Sequence, residues 1–495
     1  MPSAPVRAAG SAGRAPMGVA PGSGSRGLPT TSASGRSSYS SELRAAVIAV
    51  VLVVGLGGQA RAADDEPAAT VWSRLGLGGS IALDYFSSNH DIDDRQHFPG
   101  LNLVLKQRLT IVDGFRWIAE GRVLAEQLGH ETPHATHASW RDLRDVEAVV
   151  TELREGYGEL TIGRWEVRAG KQIIAWGRAD ELNPTDVVSP KDYLLLLPEG
   201  QASYRYGVTA LRTDYALTPT LRAIGVWVPV FSPSVIPLDV PEGVRIRERL
   251  PDVRLEEGSV GAKLDHSGGK VDASLAYYYG FNLLPEARVR TVATDPTTGA
   301  PHATVDLVHP RRHMVGGDFA TSAGRFGYRG EVAYVHTDNA SGHDVEAVTP
   351  YLYYVLGIER SLPADASVIL QYVGRWVPHR VDPARALDDP DALRGRVTFL
   401  AARETFVINQ QLDSVQNGWS ARIDKRWWND TLDVELLTLH YVERNDFFLR
   451  PKIAYELADG WRATVGGEIF HGPKHSFFGR IERNTGGFVE VMYSF

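Results

Sequence analysis

The chain of 495 residues contains no cysteine. This absence excludes disulfide bonds, thiolate zinc sites, iron–sulfur clusters and a cysteine nucleophile. Beyond the N-terminal region there is also no run of about 20 apolar residues, which excludes a protein with several membrane-spanning helices. Positive charge is not in excess, because 52 Lys and Arg stand against 60 Asp and Glu for a net charge of −8. That balance is not typical of a nucleic-acid-binding protein. A membrane β-barrel is not excluded, since alternation dilutes its apolar residues.

The N-terminal region has the composition of a leader. Residues 1–43 are rich in Ser, Gly, Ala, Pro and Arg, and we predict that they are disordered. Arg44 then precedes an apolar run at residues 45–55, and small residues follow as far as Ala62. These features are the positive flank, the short apolar core and the Ala-x-Ala end of a secretory signal peptide. We therefore predict that residues 1–62 are a disordered leader followed by a signal peptide, with an uncleaved membrane anchor as the alternative. Its removal would take away six Arg and one Glu and change the net charge from −8 to −13.

The C-terminus has a period-two pattern. Val489, Val491, Tyr493 and Phe495 are apolar and alternate with other residues, which predicts a terminal β-strand. The pattern resembles the C-terminal signature of bacterial outer-membrane β-barrels, whose last strand ends in Phe and is recognised by the barrel assembly machinery. With an export signal at the other end, this resemblance favours an outer-membrane location.

Between these two ends, eight pairs of alternating runs are each joined by two to four turn residues, which predicts β-hairpins. The pairs are Leu101–Val112 with Trp117–Ala125, Leu153–Ile162 with Trp165–Trp176, Tyr204–Tyr215 with Leu221–Val230, Val260–Asp265 with Val271–Phe281, Val315–Thr321 with Phe326–His336, Tyr351–Ser361 with Ser367–Trp376, Trp419–Trp427 with Leu432–Tyr441, and Lys452–Leu457 with Trp461–Phe470. Strands at Leu75–Phe86 and Phe488–Phe495 raise the predicted number to about 18, with 16 as the lower bound.

The connections sort by length. Those within hairpins are short, whereas most of those between hairpins are long and polar, for example residues 88–98, 231–256 and 377–415. Outer-membrane barrels have this asymmetry, with short periplasmic turns and long extracellular loops. We therefore predict an all-β fold, a single transmembrane antiparallel β-barrel over residues 63–495. Arg396–Leu412 is predicted to be a loop helix or an additional strand.

The predicted strands have two different faces. Apolar residues such as Leu83 and Leu103 share the face expected to contact lipid, and polar residues such as Asp84 and Lys106 share the face expected to contact the lumen. Aromatic residues near strand ends are expected to form interface girdles. They are Tyr277, Tyr279, Tyr351, Tyr353, Trp427 and Trp461.

One hairpin concentrates charge on a single face. A two-residue turn at Gly163-Arg164 predicts that Glu159 faces Arg168, and it places Glu155 opposite Gln172. A basic side chain costs roughly 2–4 kcal/mol against lipid at the bilayer midplane, so this face must point into the lumen. Lys171 has the opposite parity, and a β-bulge at Gly170 would turn it inward.

The segment after this hairpin is rich in Pro and Asx residues and exceeds ordinary loop lengths, which indicates a functional or constricting loop. Its motifs resemble the GKQ…WG…D…NP.D segment of a large family of bacterial outer-membrane proteins, which is similar to alginate-export and other porin-like barrels. The matching residues are Gly170-Lys171-Gln172, Trp176-Gly177, Asp180, Asn183-Pro184 and Asp186. The resemblance implies an outer-membrane channel and leaves its cargo open.

We hypothesise that charged and polar side chains of this region line or narrow the pore. The candidates are Glu155, Glu159, Arg168, Lys171, Gln172, Arg178, Asp180 and Asp186. The alternative is that they form an ion-pair network that braces a wide barrel.

Three functions are compatible with this pattern. The first is a channel for a polar or anionic solute or a polysaccharide, and the charged luminal face favours it. The second is a transporter of hydrophobic compounds or lipids, for which the apolar run Leu194–Leu197 would supply part of a path. The third is a structural or adhesive barrel or a loop-based enzyme.

The G-x-S-x-G and P-loop patterns do not occur, and the letters of H-E-x-x-H occur at residues 130–134, in a predicted outer loop. We predict that the protein is not an enzyme. We expect no cofactor and no metal. His130, His134 and His137 are expected to be solvated loop residues rather than metal ligands. The expected partners are the lipid bilayer, lipopolysaccharide and the barrel assembly machinery, with a homotrimer or periplasmic and inner-membrane transport partners as further options and no nucleic acid.

Overall fold

The computed structural model describes residues 75–92, 95–125, 149–193, 204–236 and 241–495. The predicted leader and signal peptide, the histidines between 130 and 137 and the Leu194–Leu197 run lie outside these residues. Among the described residues, no helix is both long enough and apolar enough to cross a membrane.

Twenty-one strands, one α-helix and three short 3₁₀ helices make up the regular structure of the described residues. The strands are β1 (Leu77–Ile92), β2 (Arg95–Val112), β3 (Phe115–Ala125), β4 (Val149–Ile162), β5 (Trp165–Gln172), β6 (Val208–Ala216), β7 (Leu221–Val228), β8 (Val244–Arg249), β9 (Ser259–His266), β10 (Val271–Phe281), β11 (Glu286–Thr294), β12 (Pro301–Val308), β13 (Arg311–Ala323), β14 (Phe326–Thr337), β15 (Tyr351–Leu362), β16 (Ala366–Trp376), β17 (Val415–Trp427), β18 (Leu432–Tyr441), β19 (Asp446–Ala458), β20 (Trp461–His471) and β21 (Gly486–Ser494). The helix, α1, spans Ala392–Ile408.

Eighteen of these strands form one closed antiparallel sheet. Each pairs with its neighbours in chain order, with β8, β11 and β12 left out, and β21 closes the barrel against β1 with Ser80 opposite Ser494 and Ser88 opposite Gly486. Two backbone hydrogen bonds of 3.0 Å between Gly79 and Phe495 extend this seam to the last residue. Closure leaves no unpaired sheet edge. The predicted all-β barrel of 18 strands is confirmed.

The turns within hairpins gather at one end of the barrel, which we call the short-turn end, and the long connections gather at the opposite, long-loop end. Eight turns of two to four residues join the predicted hairpins. One predicted loop differs from the structure. Residues 88–98 were expected to connect β1 and β2, but β1 extends to Ile92 and β2 already begins at Arg95. Their pairing persists beyond Ser87 after a register shift, so the loop is largely replaced by hairpin.

The outer face of the barrel is apolar. Large side chains are exposed along it on almost every strand, and examples are Leu83, Leu105, Leu160, Leu211, Leu264, Leu275, Val315, Val332, Leu356, Leu370, Ile423, Ile453, Val465 and Val489. Soluble monomers rarely expose continuous apolar patches of more than a few hundred Å², and a belt around the whole circumference fits a lipid environment.

The predicted aromatic girdles are partly wrong. Tyr277, Trp427 and Trp461 are exposed on the outer face, and Tyr279 stacks on the outer His313 with ring centroids 4.5 Å apart. In contrast, Tyr351 and Tyr353 point inward and line a cavity inside the barrel. They alternate on β15 with the outward residues Leu356 and Ile358, so the parity of the strand directs them to the lumen.

The inner face is less polar than the alternation of the first two strands predicted. From β6 to β14, inward residues such as Val226, Ala276, Met314 and Val335 are buried and apolar. They are buried because the chain that follows β5 folds into the barrel and packs on them. The luminal wall is therefore apolar wherever this segment covers it and polar elsewhere.

The long loops build a second, smaller layer at the long-loop end. Strand β8 pairs in parallel with β12, and β12 pairs antiparallel with β11. Val397 and Ala401 of α1 pack on the apolar side of this three-stranded sheet. Asp391 caps α1 by accepting hydrogen bonds from the backbone amides of Leu393 and Arg394. The ambiguous segment Arg396–Leu412 is thus helical as far as Ile408, and the small sheet was not predicted.

Candidate functional site

Residues 173–193, which we call the lumen loop, run from the end of β5 into the barrel. Ile174, Trp176 and Val188 are almost completely buried in one cluster with the inner faces of β6, β7, β10, β13 and β14. The ring of Trp176 meets Tyr278 edge-on, 6.5 Å away, and lies where a Cβ on Gly261 would come within 2.7 Å of it. Apolar packing thus holds the loop against one side of the wall and leaves the other side open.

The carboxylate of Glu331, on the inner face of β14, is the main hydrogen-bond anchor of the lumen loop. Its Oε1 accepts from the backbone amide and hydroxyl of Thr185 at 2.6 and 2.7 Å. Its Oε2 accepts from the backbone amides of Arg178 and Ala179 at 3.1 and 3.2 Å, and from the side-chain amide of Asn183 at 3.4 Å. Gly177 (φ 94°) precedes these donors, and a Cβ there would lie 2.4 Å from Oε2. The Trp-Gly and Asn-Pro motifs therefore shape the backbone around this carboxylate.

Two arginines tie the lumen loop to different parts of the barrel wall. The guanidinium of Arg178 pairs with Asp265 of β9 at 2.7 Å and with Asp318 of β13. Farther round the wall, Arg422 of β17 pairs with Asp180 at 3.4 Å and with the neighbouring Glu181. The backbone amide of Asp180 also donates to Gln371 of β16 at 2.9 Å. The loop starts at β5 and is thereby tied to strands as far round the barrel as β17, which lies nine strands from β5 in a ring of 18, so it spans the lumen.

A buried ion-pair cluster holds the base of the loop. Asp186 is paired with Arg205 at 2.7 Å and with Lys191 at 3.0 Å. Burial opposes ionisation of Asp186, but the two cations lower its pKa below the usual range, and Asp186 in turn raises the pKa of Lys191 against the effect of burial. Asp186 also accepts from the backbone amide of Trp176 at 3.3 Å. The cluster stabilises the loop only while Asp186, Lys191 and Arg205 are all present, because removal of one leaves a buried charge without its partner.

The charged hairpin β4–β5 has the predicted register. Glu159 is opposite Arg168, with Oε2 and Nε 3.0 Å apart, and Glu159 also pairs with Arg116 of β3. The predicted pairing of Glu155 with Gln172 ends one step short, because the ladder stops at Gly156 and Lys171. Glu155 instead accepts from the backbone amide of Ile173 at 2.8 Å, which fixes the first residue of the lumen loop.

Lys171 and Gln172 end β5 in different ways. The amide nitrogen of Gln172 donates to Ala210 O at 3.0 Å and to Arg168 O at 3.4 Å, and its side chain is buried. The proposed bulge at Gly170 is absent, since Gly170 pairs in register with both Tyr157 and Ala210. Lys171 is nevertheless buried, with Gly170 at φ 129° before it and its Cγ 3.1 Å from a Cβ position on Gly207.

The structure therefore brings the eight predicted residues together at the foot and the anchors of the lumen loop. The contacts described above are contacts with other protein groups, and none of the eight residues lines the cavity described next. This arrangement matches the bracing alternative. A role in lining the pore stays a prediction for them.

A cavity of about 430 Å³ lies between the lumen loop, the inner face of β13–β20 and the C-terminal end of α1, and we call it the chamber. Much of its wall is aromatic and aliphatic: Leu182, Tyr193, Tyr204, Ile236, Leu284, Tyr351, Tyr353, Ile408, Leu437, Leu439, Tyr441, Phe448, Phe470, Phe477, Phe478 and Ile481. Phe448 stacks on Phe470 at 5.1 Å and on Phe478 at 5.9 Å. Charged groups also reach the chamber, among them Lys191, Arg312, Arg375, Arg450 and Glu468.

Sequence reasoning missed the chamber because its residues come from distant strands and loops. A signal was nevertheless present: on β16 and β18, Arg375 and Leu437 have the parity of inward residues, as Tyr353 has on β15. Among the residues that the structure describes, no group of three or more His, Asp and Glu could hold a metal ion.

Comparison with known proteins finds likeness in structure and not in sequence. No family model and no curated protein matches the chain. Among solved structures, OccAB3 of Acinetobacter baumannii has a TM-score of 0.51 at 10% identity over 85% of this chain and 98% of its own. OccK9 (OpdG) of Pseudomonas aeruginosa has a TM-score of 0.49 at 9% identity, over 85% and 97% of the two chains. The likeness to OccAB3 shows the fold: an 18-stranded closed antiparallel barrel of the outer-membrane porin type.

Proposed function

We propose that this protein is an outer-membrane channel that passes small polar or anionic solutes through a constriction made by the lumen loop. The observation that carries the proposal is the loop itself. It is tied to β14 by Glu331, to β9 and β13 by Arg178 and to β17 by Asp180 and Glu181. A barrel of 18 strands is wide enough to enclose an aqueous lumen. A loop anchored across such a lumen narrows it without closing it.

The outer membrane is the proposed location. The apolar belt on the outer face needs a bilayer, and barrels of this type occur in outer membranes. The lipid bilayer and lipopolysaccharide are therefore the proposed surroundings, and the C-terminal Phe495 is the proposed recognition signal for the assembly machinery. We also propose, from the motifs of the lumen loop, that the chain is related to alginate-export-type barrels.

The chamber favours a small solute over a polysaccharide. Its volume of about 430 Å³ is in the range of sites for single small molecules. Its lining combines an aromatic wall with several guanidinium groups, which suits a compact solute more than a long hydroxyl-rich chain.

Conductance of the purified protein in planar bilayers tests the proposal. We expect stepwise ionic currents in potassium chloride and block of these currents by small organic anions. Alginate oligosaccharides provide the polysaccharide arm, and block at similar concentration would replace the small-solute proposal by a polysaccharide one. Refolded protein that inserts but carries no current would contradict the channel.

A second candidate function is the transport of hydrophobic compounds. The cluster formed by Phe448, Phe470, Phe477 and Phe478 favours it, because these rings give the chamber an apolar side. Uptake of a neutral hydrophobic probe such as toluene into liposomes containing the protein separates the two candidates. Uptake faster than that of benzoate would favour the second.

A further inference from the structure

The cations of the chamber fall into two groups. Three are paired with carboxylates: Lys191 with Asp186, Arg450 with Glu435 and Glu468, and Arg480 with Glu404. The chamber's own carboxylates also have donors, since Glu181 pairs with Arg422, Glu468 with Arg450, and Asp192 accepts from the hydroxyl of Tyr206. Arg312 and Arg375 form the second group. Neither contacts a carboxylate among the described residues.

The guanidinium of Arg375 lies between two aromatic rings. Its Cζ is 4.6 Å from the centroid of Tyr351 and 4.7 Å from that of Tyr353. Its Nη1 donates to the backbone carbonyl of Asn409 at 2.5 Å, directly after α1. The rings and carbonyls orient the group and offset part of its charge. They do not provide an anion, and its Nε is buried without an acceptor.

Arg312 reaches the same tyrosine from the other side. Its Nη1 donates to the hydroxyl of Tyr351 at 3.4 Å, a long contact, and its Nε is also buried without an acceptor. In the barrel wall, β13 with Arg312 and β16 with Arg375 are separated by β14 and β15. Tyr351 of β15 thus lies between two guanidinium groups whose charge no carboxylate of the described chain neutralises.

A charge that is removed from water without an ionic partner is costly, and two cations in one cavity that no carboxylate of the described residues contacts indicate a place for an anion. Guanidinium groups bind carboxylates with strong, charge-assisted hydrogen bonds. An apolar surface lies directly beside Arg375. Tyr353, whose ring contacts this arginine, packs in one cluster with Phe448, Phe470 and Phe478. A bound solute therefore meets positive charge at one end and aromatic rings at the other.

We propose that Arg312 and Arg375 form an anion-binding site in the chamber that selects small organic anions carrying an aromatic ring. The carboxylate binds at the two guanidinium groups beside Tyr351, and the ring packs against the phenylalanines. This inference rests on the proposed channel and names the class of solute that the channel selects. Aliphatic anions of the same charge lack the ring contacts and bind more weakly.

Block of potassium chloride current by sodium benzoate, with sodium acetate as the reference, measures this site in the full-length protein. In the wild type we expect benzoate to bind at least tenfold more tightly than acetate. Arg312→Gln and Arg375→Gln should each weaken benzoate block about tenfold, which corresponds to about 1.4 kcal/mol. Arg375→Lys should retain part of the affinity, because it keeps the charge and loses the planar fork.

The matched control is Arg426→Gln at the short-turn end. Arg426 is exposed and pairs with Asp430 outside the chamber, so this change removes the same charge far from the site. We expect its benzoate affinity to stay within twofold of the wild type.

Phe470→Leu tests the ring contact. It should lower the affinity for benzoate to nearly that for acetate and leave the block by acetate unchanged.

The proposed site is wrong if both glutamine variants keep wild-type benzoate affinity, or if benzoate and acetate block the wild type equally. If the channel proposal itself is wrong, the protein carries no current in potassium chloride alone, which is a different result. In that case calorimetric titration of benzoate into the detergent-folded protein and the same variants still decides the site. Heat of binding that Arg375→Gln abolishes supports it, and binding that neither arginine variant changes contradicts it.

Discussion

The carboxylate of Glu331 carries the sharpest prediction, because five donors of the lumen loop meet on its two oxygens. Glu331→Gln preserves the shape of the side chain and converts one acceptor into an NH₂ donor. If the remaining oxygen keeps the two short contacts to Thr185, the NH₂ group faces the backbone amides of Arg178 and Ala179. Two buried amides then lose their acceptor.

Each buried donor without a partner costs about 1–3 kcal/mol, so the variant weakens the anchored state by on the order of 3 kcal/mol. That energy changes the ratio of anchored to released loop by more than about a hundredfold. The release remains local, because Asp186 with Arg205 and Lys191 still holds the base of the loop. We therefore expect a folded barrel whose constriction opens for part of the time.

Single-channel recording tests this expectation. Glu331→Gln should show a larger mean conductance than the wild type and more frequent transitions between conductance levels. Limited proteolysis should cut the variant within residues 177–186 at protease concentrations that leave the wild type intact. Gly177→Ala should produce the same result, because its Cβ would displace the carboxylate and its φ of 94° is strained for alanine.

The matched control is Glu359→Gln on the neighbouring β15. Glu359 pairs with Arg329, and about a third of its side chain is exposed. The Glu359→Gln substitution removes the same charge from the same wall of the barrel. We expect it to conduct as the wild type does. If Glu331→Gln has the conductance and protease resistance of Glu359→Gln, the carboxylate does not anchor the loop and the reasoning is refuted.

Three further predictions concern the other anchors of the lumen loop and the three-stranded sheet at the long-loop end. Asp186→Asn leaves Lys191 and Arg205 buried without their counter-ion and should destabilise the protein by about 3–5 kcal/mol. On gels loaded with samples heated to increasing temperatures, the variant barrel should unfold at a lower temperature than the wild type. An unchanged unfolding temperature would contradict the stabilising role of this ion-pair cluster. Arg178→Gln should increase conductance while Asp318 and Asp265 make the lumen more cation-selective, and an unchanged reversal potential in a salt gradient would contradict this. Burial raises the pKa of Glu286, in the three-stranded sheet at the long-loop end, to about 7, so this sheet loses stability as the pH rises from about 4.5 to 7. The protection factors of the β11 amides, in which the intrinsic pH dependence of hydrogen exchange is divided out, should be lower at pH 8 than at pH 5, and Glu286→Gln should remove the difference.

Local patterns in the sequence were sufficient for the barrel wall. A period of two and a tight turn fix which residues face each other, so Glu159 opposite Arg168 followed directly from the Gly163-Arg164 turn. The closing strand was recognisable for the same reason, since β21 ends in alternating apolar residues. Turn length and parity act within about ten residues, which is the range over which a single sequence is informative.

The anchors of the lumen loop were beyond that range. Glu331 lies 146 residues from Thr185, and on β14 it has only the features of an inward polar residue. The three-stranded sheet was not predicted because β8 is only six residues long and pairs in parallel with β12, which belongs to a different long loop. Parallel pairing across separate loops leaves no turn signal from which a register can be inferred.

Tyr351 and Tyr353 show where a stricter use of parity would have corrected the prediction. Their position near a strand end suggested an interface girdle, yet Leu356 and Ile358 already mark the other parity of β15 as the lipid face. The same argument applies to Arg375, which faces Tyr353 across the β15–β16 ladder and would be costly against lipid. One strand pair therefore places two tyrosines and an arginine in the lumen together. Two of the six aromatic residues expected at the bilayer interface thus lie inside the barrel, where their rings hold a guanidinium group that no carboxylate of the described residues contacts.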